Sequence, residues 1–96
     1  MVPALTLHYN ANMHYVYVIK SIRTKDLYFG ITNDLDKRLE AHNKGDNTST
    51  KFGVPWKIVY FEGYIAETDA RNREKMLKHY GNARTHLKRR LKNSLL

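Results

Sequence analysis

The sequence predicts a small α/β domain of the layered α+β kind, with elements in the order β-β-α-β-α-α. Three observations carry this. Two short runs with strand periodicity come first, joined by a polar stretch of hairpin length. Helical periodicity follows, with capping residues before it and a glycine after. A single run of strand type, WKIVYFEGY, then separates this helix from two more. A chain of 96 residues supports one core and one domain.

His14–Lys20 is the first strand: Tyr15, Tyr17 and Ile19 alternate with Val16 and Val18, so both faces are apolar and expect cover. Ser21–Asp26 is the polar connection, and Leu27–Ile31 returns antiparallel. In the first helix Thr32 or Asn33 can cap, Asp34 and Asp36 occupy the first turn where the dipole favours anions, and Gly45 is the stop. Asp46–Pro55 has the composition of a loop. Trp56–Tyr64 is the third strand, with Trp56, Tyr60, Phe61 and Tyr64 read as core. The second helix starts at Thr68 or Asp69, gathers Ala70, Arg73, Met76, Leu77 and Tyr80 on one side, and is broken by Gly81-Asn82. Ala83–Lys92 is a third, very basic helix. The three strands form one sheet packed by the helices. Residues 1–13 are expected to be an N-terminal arm and residues 14–93 the single domain.

The chain has no cysteine, so disulfides and thiolate metal sites are excluded, and a reducing, cytoplasmic setting is expected. No apolar run approaches the roughly 18 residues of a membrane span, and no signal peptide is visible. The net charge of +8 is unevenly spread. Residues 71–92 hold nine Lys or Arg against one acid, Glu74, while the rest of the chain balances eight bases with eight acids. A neutral body with one basic third points to a polyanion, and Arg71, Lys75, Lys78, Arg84, Lys88, Arg89 and Arg90 are the candidate nucleic-acid contacts. The plainer alternative is a solvated helix face that keeps the protein soluble.

Chemistry-bearing residues are few. Tyr17 and Tyr28 sit near the middles of two adjacent strands. Helical spacing puts Leu35, Leu39 and His42 in one stripe, with Arg38 at its edge four residues before His42. Taken singly, His42 reads as a packed helix histidine, Arg38 as a surface charge and Glu74 as the ion-pair partner of Lys78. There is no HExxH, no glycine-rich phosphate loop and no GxSxG, and His8, His14, His79 and His86 lack metal-ligand spacing.

Together these positions resemble the GIY-YIG nuclease domain. The first half-motif is Tyr15-Val16-Tyr17 and the second Tyr28-Phe29-Gly30, followed by Arg38 on one helix and Glu74 on a later one. Tyr15, Val16 and Phe29 depart from the family's glycine and isoleucines, which changes packing and removes no reactive group. The stretches GITNDLDKRLEAHNKG and ARNREKMLK look like the small stand-alone bacterial members related to the N-terminal nuclease domain of the excision-repair subunit UvrC. The resemblance implies a central three-stranded antiparallel sheet flanked by helices. It also implies a metal-dependent endonuclease acting on DNA in repair or recombination, with Mg²⁺ or Mn²⁺. Tyr17, Tyr28, Arg38, His42 and Glu74 would be the catalytic set, with Glu74 as the metal ligand. A free tyrosine, with a pKa near 10, is a poor base; Tyr17 becomes a plausible one if Arg38 or the metal stabilises its phenolate, or if the attacking water is already acidified. The alternative is a binding module that keeps the fold and cleaves nothing. RNA is left open as a substrate, as is a protein partner that supplies recognition.

Overall fold

The computed structural model describes residues 12–96, so the arm expected over residues 1–13 lies almost wholly outside the described residues. The elements are β1 (His14–Ser21), β2 (Leu27–Thr32), α1 (Leu35–Asn43), a single 3₁₀ turn (Lys51–Gly53), β3 (Trp56–Tyr64), α2 (Glu67–His79) and α3 (Gly81–Arg90). The strands form one antiparallel sheet in the order β2-β1-β3. None of the helices among the described residues is long and apolar enough to cross a membrane.

The alternation read in β1 becomes two cores. Val16 and Val18 pack with Ala70 and Leu77 of α2 and Leu87 of α3. On the opposite face Tyr17, Ile19 and Trp56 pack with Tyr28 and with Leu35 and Leu39 of α1. Because β1 is hydrogen-bonded on both edges and covered on both faces, Val16, Tyr17, Val18 and Ile19 are all fully buried. Each such aliphatic side chain contributes about 1.5–3 kcal/mol by leaving water. The pairing with β3 slips between Val18 and Ile19, where Val18 faces Tyr60 and Ile19 faces Ile58, leaving Val59 as a bulge residue.

Several boundaries differ from the sequence reading. Asp34 is itself the N-cap of α1, its carboxylate accepting from the Lys37 N–H at 3.1 Å, while Thr32 Oγ1 accepts from the Asp34 N–H at 3.1 Å. α2 begins at Glu67 behind an uncapped Ala66. Gly81 opens α3 and does not interrupt the chain: Tyr80 alone, in extended conformation, is the joint between the two helices. A side chain does the capping there, since Arg84 donates to the carbonyls of Leu77 (3.0 Å) and Lys78 (2.8 Å) at the end of α2. The buried side of α2 is also narrower than expected, because Met76 and Tyr80 are exposed and only Ala70 and Leu77 are buried. Phe61 is exposed rather than core: it faces Tyr17 in the register, and its ring meets Tyr15 edge-on with centroids 5.8 Å apart.

Candidate active site

The site begins with a missing side chain. Tyr17 pairs with Gly30 across the β1–β2 ladder, and the phenol ring lies over that glycine. A Cβ at Gly30 would stand 2.4 Å from the Tyr17 hydroxyl and 2.5 Å from its Cζ, so only glycine lets the ring take this position. Tyr28 pairs with Ile19 and lines the same core as Tyr17. Both tyrosine rings meet the His42 imidazole edge-on, with centroids 5.8 Å (Tyr17) and 5.3 Å (Tyr28) away.

α1 brings two nitrogens to the Tyr17 hydroxyl. Arg38 Nε–H donates to it at 3.2 Å, and His42 Nε2 lies 2.7 Å from it. The other imidazole nitrogen, Nδ1, is 2.7 Å from Thr50 Oγ1, whose hydroxyl has the Asn47 carbonyl 3.5 Å away. One assignment of protons satisfies every group. The Tyr17 oxygen accepts from Arg38 and its O–H donates to Nε2; Nδ1–H then donates to Thr50, and Thr50 to Asn47. In this chain His42 is neutral, with its lone pair on Tyr17. Burial, followed by the charge of Arg38, holds the His42 pKa below its ordinary value, in agreement with a neutral ring. Burial pushes the Tyr17 phenol up, the Arg38 hydrogen bond and charge only partly offset this, and Tyr28 and Glu74 raise it further. The Tyr17 hydrogen bond in turn raises Arg38. Arg38 alone does not offset burial at Tyr17, and the neutral phenol is favoured.

Thr50 did not stand out in the sequence because nothing local marks it. It lies eight residues from His42 in a polar loop, yet it is buried and held by tertiary contacts. Its carbonyl accepts from Trp56 Nε1 at 2.9 Å, and Asn43 exchanges two hydrogen bonds with the Trp56 backbone at 2.6 and 3.0 Å.

Glu74 approaches from α2. Its side chain is 19% exposed and its carboxylate is 3.4 Å from Lys78 Nζ, which lies 5.2 Å from the centroid of the Tyr28 ring. The Lys78 pairing read from sequence is thus present, and the pair abuts the tyrosine site. No cluster of three His, Asp or Glu side chains occurs among the described residues. The donor set that Glu74 offers a cation is a single half-buried carboxylate. That suits Mg²⁺ or Mn²⁺, where water and phosphate oxygens complete the shell, and does not suit a closed all-protein site.

The GIY-YIG catalytic domain model matches residues 13–88, from the start of β1 into α3. The chain belongs to the GIY-YIG family. The GIY-YIG domain is a nuclease domain, so this one sits among nucleases. A UPF0213 protein of Clostridium perfringens is 42% identical over 67 residues, 69% of this chain and 71% of the relative. UPF0213 proteins of Bacillus licheniformis (38% over 68 residues) and Haloquadratum walsbyi (34% over 68 residues) each cover 70% of this chain and 69% and 75% of their own lengths. No solved structure gives a significant match.

In this GIY-YIG domain Tyr17, Tyr28, Arg38 and His42 converge on one face of the sheet, with Glu74 and Lys78 beside them. The candidate nucleic-acid contacts are more dispersed. Arg71 pairs with Glu67 at 2.6 Å, Lys78 with Glu74, and Arg84 is bound to the end of α2. Lys75, Lys88, Arg89 and Arg90 are exposed and make no ion pair among the described residues. A second, part-buried network went unmarked in the sequence. Glu62 on β3 accepts from Arg73 of α2 at 3.0 Å and from the hydroxyls of Tyr60 and Tyr64. Burial pushes the Glu62 carboxyl up, but those hydrogen bonds and the Arg73 charge outweigh it and leave the pKa lowered. Burial, and after it the same contact, pushes Tyr64 up to about 12.

Proposed function

We propose that this GIY-YIG domain is a metal-dependent endonuclease that hydrolyses phosphodiester bonds in DNA, of repair or recombination type, either structure-specific or weakly specific. The observation that carries this is the Tyr17 hydroxyl held between Arg38 Nε at 3.2 Å and His42 Nε2 at 2.7 Å. Hydrolysis needs a base for the attacking water and positive charge for the phosphate as it becomes more negative. Tyr17 serves as a neutral relay: its oxygen takes the proton of the water while its own proton passes to His42 Nε2. His42 suits this step because burial keeps it neutral and able to accept. Arg38 uses Nε–H on Tyr17 and keeps its terminal N–H groups for a phosphate oxygen. Tyr28 walls the site and orients His42 by ring contact. Glu74 would hold the Mg²⁺ or Mn²⁺, which when bound supplies charge to the phosphate oxygens and the leaving group.

A second reading, a nucleic-acid-binding module that does not cleave, is favoured by one observation: Tyr17 is only 1% exposed, so water has little access to its hydroxyl. The two are separated by incubating the protein with labelled single-stranded, branched and duplex DNA, with and without Mg²⁺ or Mn²⁺. The nuclease reading expects metal-dependent cleavage that Tyr17→Phe and Arg38→Ala reduce by on the order of 10²-fold or more. It also expects Glu74→Gln to abolish cleavage while binding is kept. Cleavage undiminished in EDTA, or full activity of Glu74→Gln, would remove the metal role; binding without any cleavage on every substrate would establish the module.

A further inference from the structure

Phe52 presents an apolar ring to water for no reason that packing supplies. It is 76% exposed, more than Phe61 or Tyr80, although the turn that carries it is tied down on both sides. The Thr50 carbonyl before it accepts from Trp56 Nε1 at 2.9 Å and from the Gly53 N–H at 3.0 Å. The Gly53 carbonyl after it accepts from Ser21 Oγ at 2.6 Å. Gly53 also lies directly over the Trp56 ring, where an added Cβ would meet Cζ2 at 2.3 Å. The backbone on both sides of Phe52 is therefore tied down, and its ring projects from that support.

The ring lines a hollow of about 470 Å³, a size usual for small-ligand sites, whose lining also includes Arg23, Asp26, Ser49 and Tyr28. Tyr28 borders both this hollow and the tyrosine site, since it lines the one and its ring meets His42 in the other. The chemistry around it is that of a nucleotide. Phe52 is a flat platform for a base, and Lys51 Nζ, 5.1 Å from its ring centroid, is a cation for a neighbouring phosphate. Arg23 is a second cation, with no ion pair among the described residues. The Asp26 carboxylate and Ser49 hydroxyl can hydrogen-bond a base edge.

We propose that this hollow is a subsite for an unpaired base next to the scissile phosphate, so that the substrate is a single strand or carries an unpaired nucleotide at the cut. Within a duplex each base face is covered by its neighbours and cannot meet a protruding ring; an unpaired base can. The location "next to the scissile phosphate" rests on the nuclease reading above, whereas base capture itself does not.

The test uses the intact chain and a short single-stranded oligodeoxynucleotide carrying one 2-aminopurine, with Ca²⁺ in place of Mg²⁺ so that binding is read alone. A matched duplex and an oligoribonucleotide of the same sequence are run beside it, the latter to distinguish RNA from DNA. The expected result is quenching of 2-aminopurine fluorescence, tighter binding of single strand than duplex at equal salt, and a roughly 5- to 100-fold loss of single-strand affinity in Phe52→Ala. Phe52→Trp should retain affinity and Phe52→Leu should not, because leucine keeps apolar bulk without a stacking face. Phe52 is exposed, so these variants fold. Wild-type affinity in Phe52→Ala or Phe52→Leu, or a preference for duplex, overturns the subsite even if the protein cleaves DNA. Quenching that depends on Phe52 in a protein that cleaves nothing upholds base capture and overturns only the nuclease reading.

Discussion

Removing one hydroxyl at Thr50 tests whether the proton chain through His42 works as a unit. Thr50→Val keeps the shape and leaves the buried Nδ1–H of His42 without its acceptor, a loss of about 1–3 kcal/mol. Cleavage should fall roughly 10- to 100-fold, and Thr50→Ser should restore it. The pH–rate profile distinguishes this from loosened packing. His42 faces Tyr17 on β1, Tyr28 on β2, Arg38 on its own helix and Thr50 in the loop, and burial with Arg38 holds its pKa below 6.5. The acidic limb of kcat/KM should therefore lie below pH 6.5, where the ring gains its proton and can no longer accept one from Tyr17. The same depression links to stability. The unfolded chain binds the proton first, so the fold loses stability as pH falls from 6.5 toward the folded-state value. Gly30 tests position without touching a reactive group. Gly30→Ala would put a methyl 2.4 Å from the Tyr17 hydroxyl, and the ring must move. We expect a protein with strand content unchanged by circular dichroism and cleavage reduced at least tenfold. Wild-type turnover in that variant would show that the ring tolerates displacement.

Between elements, the best-buried ion pair among the described residues joins Glu62 on β3 to Arg73 on α2, their side chains 14% and 24% exposed. Glu62→Ala would strand a half-buried guanidinium and remove the acceptor of two tyrosine hydroxyls, at a cost of about 1–3 kcal/mol. Chemical denaturation of the variant should show that loss. Glu62 has a lowered folded-state pKa, so its contribution is present above the unfolded value near 4.5 and is lost as pH falls through the folded one. The shortfall from wild type should accordingly shrink in acid. These two networks mark where the sequence stopped being readable. Alternation in β1 and helical spacing in α1 are local patterns, and they were enough to place Tyr17 and Tyr28 on adjacent strands and to put Arg38 beside His42. Thr50 and Glu62 acquire their meaning from partners eight and eleven residues away that belong to other elements, which no local period records. Gly81 failed for a related reason: glycine is a poor helix former, but Arg84 caps α2 from the next helix and the chain can turn at Tyr80 alone.

For the whole molecule, the +8 charge is the long-range term, and the structure reduces how much of it can meet a phosphate. Of the nine bases in residues 71–92, Arg71, Arg73, Lys78 and Arg84 already have acceptors, which leaves Lys75, Lys88, Arg89, Arg90 and Lys92. Five contacts from this segment contribute about −4 to −5 to the log–log salt slope on duplex DNA, whereas all nine would contribute about −8, and contacts by Arg38, Arg23 or Lys51 add to either figure. Replacing Lys88, Arg89 and Arg90 together by Ala should flatten the slope by about 2–3 and weaken binding across sequences alike. The central place of β1 bears on a different property, the cooperativity of the site with the fold. Its backbone is bonded to β2 on one side and β3 on the other, so the amides flanking Tyr17 are released only when the sheet itself comes apart. The tyrosine thus stands on the part of the molecule that opens last, and a partly unfolded chain that still holds its sheet still holds the hydroxyl on which the proposed chemistry turns.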